Sequence, residues 1–208
     1  MRSGDRPDRA LVPARLRRLA GAAVLATATF PTRAFAHTPS ERLGDFWGGF
    51  LHPLVSLEHA LPLLALAVLV AQQGRARART GVLLWPLAFA IGTALGFTRE
   101  LPAFLPTANR IGFVVLGGLA AASWRLPRAL GSGILIAAAI GHGFENAAGA
   151  IVRRPMLFGA GSVTGTTFVL LLLLGAVVSL RAGWPRLVPR VVASWIAAIG
   201  VMMLALGR

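Results

Sequence analysis

Residues 48–72 read GGFLHPLVSLEHALPLLALAVLVAQ, twenty-five positions in which His52, Glu58 and His59 are the only titratable side chains. A helical membrane span needs about 20 predominantly apolar residues, so this stretch is long enough to cross a bilayer and far too long for a strand. Moving outward, apolar stretches of similar length recur at roughly 80–98, 107–124, 129–151, 156–180 and 187–207, separated by breaks that carry arginine. Hydrocarbon offers no water to satisfy backbone amides, and the six spans are therefore expected to be helices. Composition agrees: the 208 residues are 56% hydrophobic and only 13% charged, about half the charge of a soluble domain. The expected fold is an all-α polytopic membrane protein, a six-helix transmembrane bundle, with no room for a sizeable soluble domain.

The net charge of +14 would suggest a nucleic-acid partner in a soluble chain. Here all 21 basic residues are arginines set in short clusters between apolar stretches, where they act as orientation and headgroup anchors in the lipid bilayer. No nucleic acid is expected. With neither cysteine nor tyrosine, ligand chemistry falls to histidine, carboxylate, hydroxyl, methionine and backbone groups.

Before the first span, a basic segment ending at Arg18 precedes an apolar stretch, Leu19 to Phe30, and the ending Ala34-Phe35-Ala36. These are the three parts of a secretory signal peptide, with cleavage expected after Ala36. An uncleaved anchor helix is the alternative. Residues 1–36 are thus read as signal peptide and 37–208 as the transmembrane domain, with His37 as the new N-terminus. A mature N-terminus in the periplasm puts the first, third and fifth connections in the cytoplasm. These hold Arg75, Arg77, Arg79, Arg125, Arg128, Arg181, Arg186 and Arg190. The other side holds Arg42, Arg99, Arg110, Arg153, Arg154 and Arg208, so eight against six favours this orientation in the inner membrane. Trp47, Trp124 and Trp184 fall at span ends, which suits an indole at the interface, and Gly92 with Gly96 and Gly161 with Gly165 have the spacing of closely packed helices.

Three histidines and two acids lie inside the spans: His52, Glu58, His59, His142 and Glu145. A carboxylate at bilayer depth costs about 2.5–3.5 kcal/mol even on the lenient insertion scale, which makes each a functional candidate. Pro53 suits a first helical turn, placing His52 at or just before a helix start. His59, seven residues on, returns to within about 20° of His52 on one continuous helix, so both imidazoles would face one cavity. Glu58 flanks them as a ligand or as the acceptor that fixes an imidazole tautomer, and Pro62 adds a possible kink. On the fourth span, in AAAIGHGFENAAGA (137–150), His142 and Glu145 share a face, with Gly141 and Gly143 letting another helix come close. Nitrogen and oxygen donors without sulfur suit nickel, cobalt, zinc or iron. Against a shared site stand packing roles: hydrogen-bonded histidines, Glu145 with Asn146 as an interhelical pair, or Glu145 neutralising Arg153.

At FLHPLVSLEHALPLLALAVLVAQQG (50–74) the chain resembles the hydrogenase and urease accessory membrane proteins of the HupE/UreJ family. Its first motif, His-Pro-x-x-Gly-x-Asp-His, is matched at His52, Pro53 and His59, with Ser56 for glycine and Glu58 for aspartate. The second, His-Gly-x-x-His-Gly-x-Glu, is matched at His142, Gly143 and Glu145, while Ala138 stands where the family has its first histidine. The resemblance implies a small helical membrane protein, commonly with a cleaved signal peptide and a histidine near its mature N-terminus, acting in secondary transport of nickel or cobalt.

The leading reading is secondary transport of a divalent transition metal ion, Ni2+ or Co2+, across the inner membrane for metalloenzyme maturation. His37 would meet the ion outside, His52 would take it next, and Glu58, His59, His142 and Glu145 would form the site in the bundle. The ion is cargo, and no organic cofactor or enzymatic activity is expected. Alternatives are an accessory scaffold with a reduced metal site, as Ala138 suggests, and a haem-holding electron-transfer protein using His52 or His59 with His142. A serine protease is disfavoured because Ser162 has no histidine in any later span to act as base.

Overall fold

The computed structural model describes residues 43–180 and 187–207, which belong to one unit, Thr38–Arg208; the expected signal peptide and His37 lie outside the described residues. The described residues contain helices and no strand. In order they are α1 (Asp45–Val55), α2 (Leu57–Gln72), α3 (Arg75–Thr98), α4 (Leu105–Ala122), α5 (Arg128–Ala148), α6 (Pro155–Ser179) and α7 (Val188–Ala205). Prolines in the first turns of α4, α6 and α7 start those helices where a missing N–H costs nothing.

Four helices, α3, α4, α6 and α7, are long and apolar enough to cross a membrane, and α1 with α2 makes a fifth candidate, bent by 66° at its break. The first expected span is therefore two half-helices. The fourth expected span exists as α5, 21 residues long, but is not among the candidates: His142, Glu145, Asn146 and four glycines take the place of apolar side chains. The second span starts at Arg75, five residues earlier than its apolar stretch indicates. Arginine is a good helix former, and its stem lies along apolar surface while its head stays in water. Gly74, at φ 101°, makes the short turn from α2 into α3 in a conformation that disfavours a side chain.

α2 is the central helix. From Pro62 to Ala71 every residue but Leu64 is buried, so it is enclosed all round, as its unbroken apolar sequence requires. Around it the other helices pair, α3 on α5, α1 on α6 and α4 on α7. Glycines seat all three pairs, and Gly117 of α4 against Ala193 and Ala197 with Gly200 of α7 against Phe113 serve the last. Gly92 and Gly96 lie against the carbonyls of Ile140 and Phe144, and Gly161 and Gly165 against those of Phe46 and Phe50, with no space for a Cβ. Outward-facing leucines and isoleucines such as Leu83, Leu87 and Ile91 give the bundle an apolar exterior suited to lipid. Trp47 and Trp124 are exposed at helix ends as expected, while Trp184 lies outside the described residues.

Hydrogen bonds fix which connections share an end. Gln73 Nε2 donates to Trp124 O (2.8 Å), the Leu126 amide donates to Gln73 Oε1 (3.1 Å), and Arg190 Nε donates to Ala121 O (2.9 Å). The α2–α3 turn, residues 123–127 and the start of α7 thus meet at one arginine-bearing end. At the other, the Arg154 amide donates to Asp45 Oδ2 (2.7 Å), tying the start of α1 to the α5–α6 connection.

Candidate functional site

The α1–α2 break brings the first two histidines together, by a different route from the one the sequence suggests. Pro53 is not in a first turn: α1 begins at Asp45, and His52 sits in its last turn. The chain then turns extended at Ser56 (φ −98°, ψ 110°), and α2 begins at Leu57. The Ser56 amide closes α1 by donating to His52 O (2.9 Å), and its carbonyl accepts from the His59 and Ala60 amides (3.1 and 2.9 Å). Any L residue adopts these angles, so the serine that replaces the family's glycine is accommodated. On a continuous helix, residues seven apart would be separated by about 10 Å along the axis. Across the break the two imidazole centroids are 5.0 Å apart. Pro62 lies within an unbroken α2, so the bend belongs to Ser56.

The third histidine comes from α5. His142 is buried, its ring centroid 5.7 Å from that of His59, which makes a file His52, His59, His142 running inward. Gly143 has no room for a Cβ against the Phe89 carbonyl of α3, and this close approach sets the depth of the neighbouring His142.

The file borders a cavity of about 300 Å3 lined by His52, Ser56, Glu58, His59, Glu145 and Asn146, with residues 149–152 also contributing. A second, smaller space of about 20 Å3 lies among Glu58, Asn109, Arg110, His142 and Glu145. Both carboxylates line both spaces. Glu58 is exposed in the first turn of α2, where the positive end of the helix dipole favours it. The partly negative C-terminal end of α1 adjoins the same cavity through His52 and Ser56.

Three atoms here are buried with no hydrogen-bond partner: His59 Nδ1, His142 Nδ1 and Asn146 Oδ1. Buried polar atoms are normally paired, so His59 and Asn146 at the larger space and His142 at the smaller one leave polar groups available to a ligand. Glu58 therefore does not hold Nδ1 of His59. Glu145 is engaged, but not by Arg153: it accepts a hydrogen bond from Asn109 Nδ2 of α4. Gly141 permits this, since a Cβ there would stand 2.5 Å from Asn109 Oδ1. Asn146 Nδ2 donates to Ser162 Oγ of α6 (3.1 Å), so Glu145 and Asn146 both make interhelical bonds, each to a different helix. Asn109 and Arg110 were not among the candidates read from the sequence; an amide inside an apolar span was the available signal. Ala138, one turn before His142, packs against the apolar core.

The structure thus brings His52, His59 and His142 side by side and sets Glu58 and Glu145 on the walls they share. Among the described residues, no group of three or more histidines and carboxylates is drawn tightly enough to hold a metal ion. No curated protein and no solved structure matches the chain. The family model described as HupE / UreJ protein matches residues 24–203, most of the chain, and the chain therefore belongs to the HupE/UreJ family.

Proposed function

We propose that this protein is a six-span secondary transporter of a divalent transition metal ion, Ni2+ or Co2+, in the inner membrane, serving metalloenzyme maturation. Membership of a family associated with nickel and cobalt accessory transport supports the class. The observation that carries the site is the pair of buried, unpartnered Nδ1 atoms of His59 and His142. Neutral imidazole nitrogens and carboxylates suit such ions. In this reading α5 is a sixth span, the arginine-bearing end is cytoplasmic, and cleavage after Ala36 frees His37 outside.

The ion enters the larger cavity past His52 and Glu58, passes to His59, and reaches His142 and Glu145 beside the smaller space. Below lies the packed apolar length of α2 from Leu63 to Ala71, so passage to the other end requires helices to move against one another. A broken helix at the ion site is a recurrent transporter device, because half-helix ends supply partial charges there. Protons compete with metal for the same imidazoles and carboxylates, which provides a release step.

Uptake of radiolabelled nickel or cobalt by cells, normalised to folded protein, tests this. Loss of uptake in both His59→Ala and His142→Ala is expected. The absence of a tight three-ligand cluster favours an accessory scaffold as the second reading. Wild-type uptake no greater than in cells lacking the protein would select it.

A further inference from the structure

The arginine-bearing end holds a separate cavity of about 220 Å3 between α2, α3 and α5, unrelated to the histidine file. Arg77 and Arg128 line it with the hydroxyl residues Thr80 and Ser132, and Leu69 and Leu135 wall its apolar side. No carboxylate lines it; the four acids among the described residues, Asp45, Glu58, Glu100 and Glu145, lie elsewhere. Arg77 uses Nη1 to reach Gln73 Oε1 (2.8 Å) and the Leu126 carbonyl, which fixes its guanidinium at the cavity. Two helices start here, α3 after Gly74 and α5 after Pro127, and neither N-terminus has a side-chain cap. Their free N–H groups add positive potential to that of the guanidiniums.

We propose that this cavity binds an anionic phospholipid, its phosphate between Arg77 and Arg128 and its first acyl carbons along Leu69 and Leu135. Free phosphate would satisfy the charge but leave the leucine wall unfilled, whereas a zwitterionic lipid would fill the wall but bring a second cation beside two arginines. Basic pockets between membrane helices are suited to anionic headgroups.

The test is the melting temperature of the full chain in neutral detergent, titrated with phosphatidylglycerol, phosphatidylcholine of the same acyl chains, or inorganic phosphate. Phosphatidylglycerol alone should raise it. In Arg77→Gln/Arg128→Gln the apparent affinity should fall about 30-fold, and in Arg128→Gln, which breaks none of the hydrogen bonds above, about 5-fold. Should the double variant not fold, the single variant carries the test. Arg75→Gln/Arg79→Gln removes the same charge from the same end without touching the cavity and should retain the wild-type response. The proposal is overturned if that control weakens as much as the test variants, if phosphatidylcholine stabilises equally, or if inorganic phosphate does.

Discussion

Gly143→Ala tests whether α3 and α5 approach as closely as the site requires. An added Cβ would press on the Phe89 carbonyl oxygen and stand 3.0 Å from the Thr93 amide nitrogen, both backbone atoms that cannot rotate away. Carbon and carbonyl oxygen ordinarily meet at about 3.3–3.6 Å, so the two helices must separate by about 1 Å. Such overpacking costs about 1–3 kcal/mol, against which alanine's better helix propensity returns up to about 1 kcal/mol. Gly133→Ala supplies the comparison on the same helix: its Cβ would meet nothing within 4 Å, leaving only the propensity gain. Thermal unfolding in detergent, followed by tryptophan fluorescence, should therefore place Gly143→Ala below wild type and Gly133→Ala at or above it. A Gly143→Ala protein as stable as Gly133→Ala would refute the close contact, and with it the packing that holds His142 beside His59.

Glu58→Gln should lower metal uptake per folded molecule by roughly 10- to 100-fold while leaving membrane yield unchanged or higher, since a neutral amide is less costly near lipid than a carboxylate. Unchanged normalised uptake would take Glu58 off the ion path. Asn109→Leu removes the donor to Glu145 and should destabilise by about 1–3 kcal/mol, whereas Asn109→Leu/Glu145→Leu should recover most of that loss. Simple additivity of the two single variants would show that the pair does not act as a unit. N-terminal sequencing of the membrane-purified chain should begin at His37, and recovery of a chain starting at Met1 would remove His37 from the proposed path.

Helical class and span positions were legible because apolar length needs no tertiary context: α3, α4, α6 and α7 fall where hydropathy puts them. The glycine pairs were legible for a related reason, since the spacing of Gly92 with Gly96 and Gly161 with Gly165 defines a smooth helix face before any partner is known. What failed concerns bends and partners. Residues 48–72 are predominantly apolar over a span's length, so hydropathy reads them as one helix and places His52 and His59 on one face by counting turns. The same neighbourhood arises because the helix is broken at Ser56 and folds its two halves toward each other. Hydropathy counts residues and contains no term for direction.

The partners of Glu145 and Asn146 show the same limit from the other side. Reading α5 alone marks Glu145 and Asn146 as an interhelical pair, or sets Glu145 against Arg153, without naming the partner helices, because only neighbours in sequence are visible. Burial instead gives Glu145 an amide 36 residues earlier and Asn146 a hydroxyl 16 residues later. Those two bonds tie α5 to α4 and to α6, and they leave the Nδ1 atoms of His59 and His142 as unpaired buried nitrogens between. Ala138 then acquires a physical meaning. One turn before His142, it packs against apolar side chains, in the direction in which α2 is fully enclosed. A histidine there would extend the file by one polar step into the core. With alanine in its place the donor file ends at His142, and on the proposed path an ion reaching it would face apolar packing.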